Sequence, residues 1–109
     1  MNNAIFKKNY KYEIFIGLKD KNNYKELFTI DNFKKILFEI CTEKEIDFSL
    51  LMQHGGYKHN KGYTTETSLR IIIIGITEEE IFKLGEKLKM EINTDTILIT
   101  KTLVECCFI

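Results

Sequence analysis

Both histidines of this 109-residue chain, His54 and His59, stand in one polar stretch, QHGGYKHNKGYTTETSLR, from Gln53 to Arg70. The stretch also holds Gly55, Gly56 and Gly62, the tyrosines Tyr57 and Tyr63, the lysines Lys58 and Lys61, and Arg70, the only arginine of the chain. Aromatic rings beside amines suit a nucleotide: the rings stack on the base and the amines meet phosphate. The Arg70 guanidinium adds a planar fork for carboxylate or phosphate, which lysine cannot reproduce. The two histidines form a weaker metal signal. They need a third and fourth ligand, such as Glu66 or a residue of a second copy, and no cysteine is near. No metal or cofactor is therefore expected.

Nucleophilic chemistry finds little support. Ser68 lacks a G-x-S-x-G elbow. Cys41, Cys106 and Cys107 have no histidine beside them in sequence. Most carboxylates, such as Glu78, Glu79 and Glu86, fall on the solvent side of an expected helix, so no acid pair can be argued. The stretch thus reads first as a ligand-binding surface built from His54, Tyr57, Lys58, His59, Lys61, Tyr63, Thr65 and Arg70. A small phosphodiesterase-type hydrolase using His54 and His59 is the catalytic alternative.

The flanking segments must position these groups. Lys11–Leu18 alternates in polarity and predicts a first strand. DKNN at 20–23 is turn-like. Asp31 is the expected N-cap of a first helix. In it Phe33, Ile36, Leu37, Ile40 and Cys41 follow helical spacing, and it should end near Lys44. Phe48–Gln53 predicts a second strand. The polar stretch then forms a long loop, and Thr67–Gly75 a third strand. Thr77 and Glu80 make a capping box for a second helix, with Ile76 and Ile81 as its staple. Ile81, Leu84, Leu88 and Ile92 make its buried stripe. Gly85 inside that helix costs about 1 kcal/mol relative to alanine, which predicts close approach to the sheet. Asn93–Thr96 is a turn and Ile97–Thr100 a fourth strand, with Leu103–Ile109 extending it or forming a fifth. Residues 1–10 read as an N-terminal arm.

The order βαββαβ predicts one α+β domain over 1–109, a ferredoxin-like sandwich. Two helices cover one face of a four-stranded antiparallel sheet, and a long β2–β3 loop carries the chemistry. If Tyr12, Ile14, Ile16, Leu69, Ile71 and Ile73 face the helices, the other face shows Phe15, Ile72 and Ile74, with Leu51 and Leu98 beside them. An exposed apolar face of this kind predicts a homodimer or homotrimer. Arg70 should share that face with Glu13. A cross-strand ion pair and an anion-binding role are both open for it. Gly55 and Gly56 either bend the strand or let a ligand approach.

Composition excludes other classes. Formal net charge is +0, which argues against non-specific nucleic-acid binding, since that needs excess basic charge. The longest apolar run, Ile71–Ile74, is far too short for a membrane span. The N-terminus lacks the apolar stretch of a secretory signal. Three cysteines, two adjacent, make no disulfide framework and are read as reduced. The bias toward lysine, isoleucine and asparagine is that of an AT-rich coding sequence, as in a bacterium or a virus infecting one. The expected location is the bacterial cytoplasm.

On these residues the chain resembles the PII-type signalling superfamily, ferredoxin-like trimers with a long loop between the second and third strands. Gly56, Lys61, Gly62, Thr65 and Glu66 echo the pattern of that loop. Ile97–Ile109, ILITKTLVECCFI, resembles the family's fourth strand and its continuation. The family's phosphate-binding turn before that strand is glycine-rich and basic, whereas Asn93, Thr94, Asp95 and Thr96 stand here. Copper-tolerance trimers and amino-acid-binding ACT domains share the topology.

The leading expectation is a non-enzymatic oligomer that captures a small anionic, nucleotide-like ligand near subunit boundaries. It would act as a sensor, or as a sponge of the kind a virus uses to remove a host signal. The alternative is an interaction module whose β2–β3 loop inhibits or tethers a protein partner.

Overall fold

The computed structural model describes residues 4–17, 29–94 and 96–109, without the side chains of Tyr57, His59, Thr64 and Glu66. The expected turn at 20–23, Leu18, the first three residues of the arm and Asp95 lie outside the described residues. The elements are β1 (Lys7–Gly17), α1 (Ile30–Lys44), β2 (Ser49–His59), β3 (Gly62–Ile74), α2 (Glu78–Glu91) and β4 (Leu98–Cys106). They form one antiparallel sheet in the order β2-β3-β1-β4. This is the ferredoxin-like arrangement that the element order predicts.

The core lies between the sheet and the helices. Tyr12, Ile14 and Ile16 of β1 and Leu69, Ile71 and Ile73 of β3 are all buried, as the period-two pattern requires. Phe33, Leu37, Ile40 and Cys41 of α1 meet them, with Ile81, Leu84, Leu88 and Ile92 around α2. The α2 capping box is present: Thr77 Oγ1 accepts from the Glu80 N–H at 3.1 Å, and Glu80 Oε1 accepts from the Thr77 N–H at 3.3 Å. Gly85 is buried against the sheet. A Cβ there would stand 3.0 Å from Ile99 Cδ1 and 3.1 Å from Ile97 Cδ1.

The cap of α1 differs from expectation. Thr29, not Asp31, is the N-cap, and its side chain accepts from the Asn32 N–H at 3.1 Å. Asp31 instead sits in the first helical turn, where a carboxylate still favours the positive end of the helix dipole. The helix ends at Lys44 as expected, closed by Glu45 in the left-handed region at φ 56°.

The largest difference is the polar stretch itself. It is not a loop. β2 runs on to His59, β3 begins at Gly62, and the two pair without interruption from Ser49↔Ile72 to His59↔Gly62. Only Asn60 and Lys61 make the turn. Gly55 and Gly56 stay in register opposite Glu66 and Thr65, so they introduce no bulge. β1 also starts earlier than expected, at Lys7 rather than Lys11, and pairs there with β4. β4 is one continuous strand from Leu98 to Cys106, so the segment from Leu103 extends the fourth strand, one of the two alternatives open for it.

Two ribbons therefore leave the sheet at opposite ends. Among the described residues the β1–β3 ladder runs from Gly17↔Ser68 to Lys11↔Ile74. Among the described residues, positions 54–67 consequently pair only with each other, and Lys7–Tyr10 pair with Leu103–Cys106, with one further bond in which the Tyr10 carbonyl accepts from the Gly75 N–H at 3.3 Å. The molecule measures 59 × 29 × 23 Å, with a radius of gyration of 15.9 Å. A compact chain of this length would have about 13 Å. Among the described residues no helix is long and apolar enough to cross a membrane.

Candidate functional site

Strand parity decides which site residues share a side. In β2 and β3 the positions His54↔Thr67, Gly56↔Thr65 and Lys58↔Tyr63 alternate with Gln53↔Ser68 and Gly55↔Glu66. His54, Lys58, Tyr63 and Thr65 therefore continue the side of the sheet that carries Leu69 and the helices. Arg70 has the opposite parity and stands on the open face, opposite Leu51 in β2 and Phe15 in β1. Lys61 is in the turn. Tyr57 and His59 occupy alternate positions of the same strand, and their side chains lie outside the described residues. His54 and His59, five apart in one continuous strand, are of opposite parity. Among the described residues no group of three His, Cys, Asp or Glu could hold a metal ion.

The side chains of His54, Lys58, Lys61, Tyr63 and Thr65 are exposed to solvent, and Tyr63 is 71% exposed. Its ring nonetheless has a defined seat across the ribbon. A Cβ added at Gly56 would fall 2.6 Å from Tyr63 Oη and 2.8 Å from Cε1. Gly56 is thus the floor on which the ring lies, a diagonal cross-strand contact that no larger residue permits. The space above the glycine is filled by that ring.

The open face is the second half of the site. Phe15 and Ile72 are half-buried there, and Leu51, Ile74 and Leu98 are exposed. A charged group sits among them. Arg70 Nη1 lies 3.6 Å from Glu13 Oε2, and Lys11 Nζ lies 3.2 Å from Glu13 Oε1. The cross-strand ion pair expected of Arg70 is present, at a length that is Coulombic rather than hydrogen-bonded. Arg70 Nε is buried and finds no hydrogen-bond partner among the described residues. Lys11 was not foreseen. The signal was its place two residues before Glu13 on one strand, which puts opposite charges on one face.

Parity sets the described ribbon side chains and Arg70 on opposite sides of the sheet. Among the described residues an open apolar cleft runs between α1 and the β2 edge, over Phe38, Phe48 and Leu50. A second lies between Phe82, Gly85 and Ile97. Neither is lined by any of the eight expected ligand residues.

No protein-family model matches the sequence, and no curated protein matches it. Solved structures do. A phage SAM lyase in complex with S-methyl-5'-thioadenosine superposes with a TM-score of 0.69 at 24% identity, over 90% of this chain and 88% of that one. Phage SAM lyase in the apo state gives 0.70 at 23% identity, over 93% and 89%. CPII, a nitrogen regulatory PII-like protein from Thiomonas intermedia K12 bound to ADP, AMP and bicarbonate, gives 0.56 at 13% identity, over 94% and 98%. The chain has the PII-like fold. The resemblance read from Gly56, Lys61–Gly62 and the fourth strand is thus one of shared architecture. The PII-like fold seen here carries its extended segment as a paired ribbon.

Proposed function

We propose that this protein takes an adenosyl ligand between copies of its chain, S-adenosylmethionine (SAM) foremost, and cleaves it to S-methyl-5'-thioadenosine. The observation that carries this reading is the turn before β4. Asn93 has a positive φ of 49° and Thr94 is buried. The sequence from 93 to 96 offers no lysine, no arginine and no glycine. A polyphosphate would find neither charge nor backbone approach there. An adenosyl thioether or sulfonium carries no phosphate and needs neither. Likeness to phage SAM lyase along about nine tenths of both chains supports the same choice of ligand.

This reading moves away from the non-enzymatic expectation, and for a chemical reason. Forming S-methyl-5'-thioadenosine from SAM breaks the bond between sulfur and the four-carbon amino-acid part. The electron pair goes to sulfur, whose positive charge disappears. The freed carbon is satisfied by the amino acid's own carboxylate, which closes a lactone. No water, side-chain nucleophile or external base enters the balance. The lack of a nucleophile, base and oxyanion set therefore does not weigh against catalysis here. Orientation and removal of water suffice.

The test is incubation with SAM, ATP and cyclic nucleotides, followed by mass spectrometry of free and bound fractions. Conversion of SAM to S-methyl-5'-thioadenosine supports the proposal. Intact SAM bound to the protein returns the reading to a sponge. Binding of ATP alone, or of none of these, removes it.

A further inference from the structure

Resting on the ligand reading above, we propose that Glu13 and Arg70 form a zwitterion site that receives the α-amino-carboxylate end of the ligand. The argument starts from what the pair lacks. A guanidinium has five donors in a fixed fork. In the structure Nη1 meets Glu13 at 3.6 Å, beyond hydrogen-bond length, and the buried Nε has no partner among the described residues. A buried polar group without a partner is unusual in a native fold and asks for one. Glu13, 15% exposed, stands beside it with one oxygen toward Arg70 and the other toward Lys11, so a guanidinium and a carboxylate lie side by side at the edge of the apolar patch. Phe15 and Ile72 flank them by register.

The chemistry that matches adjacent guanidinium and carboxylate is a group with the reverse pattern. An α-amino acid end has it: the carboxylate faces Arg70 and the ammonium faces Glu13. Such contacts are charge-assisted, and apolar neighbours strengthen them by lowering the local dielectric. Arg70 holding one carboxylate oxygen leaves the other free to close the lactone. Lys11, at 3.2 Å from Glu13, keeps that side chain on the open face. It is a positioning residue.

The experiment compares two thioethers that share the adenosine and differ only at the amino-acid end: S-adenosylhomocysteine and S-methyl-5'-thioadenosine. Neither is a sulfonium, so neither is cleaved during a calorimetric titration. Arg70→Gln and Glu13→Gln should each weaken S-adenosylhomocysteine about tenfold or more. S-methyl-5'-thioadenosine should bind all variants alike, which also shows that they fold. The assembly mass from light scattering should not change. Equal weakening of both ligands, no weakening of either, or loss of the assembly in Arg70→Gln overturns the zwitterion site while leaving the ligand reading standing. Wild-type protein that binds neither thioether overturns the ligand reading itself.

Discussion

The Tyr63 ring lies across Gly56, with Oη 2.6 Å from where a Cβ would stand. This contact ties the two strands of the ribbon beyond the last residue that β1 supports. Ring currents make it measurable. In NMR spectra the Gly56 α-protons should be shifted upfield, and Tyr63→Ala should abolish the shift. Gly56→Ala should displace the ring at a cost below about 1 kcal/mol, because Tyr63 is exposed and can swing outward. Unshifted glycine protons in the wild type would mean that the ring does not rest there in solution.

At Gly85 two effects oppose each other. Alanine would gain about 1 kcal/mol in helix propensity. Its methyl would press the ends of Ile97 and Ile99 at 3.0–3.1 Å, but both are terminal methyls beside an open cleft. Gly85→Ala should therefore change stability by less than about 1 kcal/mol. Gly85→Leu cannot be absorbed in this way and should cost about 2 kcal/mol or more through overpacking. Chemical denaturation of the two variants checks this.

Cys41 is buried, and burial pushes its thiol above the ordinary value of 9.0. Cys106 and Cys107 are half-buried. With a chromogenic disulfide reagent at about pH 8, the adjacent pair should react quickly and Cys41 only on unfolding. The folded thiol holds its proton where the unfolded one has lost it. The Cys41 contribution is thus fully present below pH 9.0 and is lost as pH rises through the higher folded value. A pH series of melting curves for the wild type and Cys41→Ala should diverge in that direction.

The Arg70–Glu13 contact should add little to stability. It is 3.6 Å long between side chains 34% and 15% exposed. A double-mutant cycle on melting should give a coupling below about 1 kcal/mol. A larger value would make the pair a structural clamp and leave little reason for a ligand role.

The residues that packing governs were legible. Tyr12, Ile14 and Ile16 alternate because one side meets helices, and Thr77 with Glu80 announced α2. The ribbon was not legible, for a physical reason. Among the described residues, positions 54–67 pair only with each other and none of them belongs to the buried core, so no period-two apolar pattern is imposed on them. Two glycines and a run of polar residues then read as a loop. Thr29 was passed over as a cap because Asp31, two residues later, is an equally good capping type. The Arg70–Glu13 pair was readable from parity alone. The orphaned Nε needed coordinates.

The most direct measurement is product analysis by mass spectrometry after incubating the purified protein with SAM, against a protein-free control. The account predicts S-methyl-5'-thioadenosine and a lactone of the four-carbon part, formed well above the spontaneous rate. SAM that stays intact at the rate of the control contradicts it.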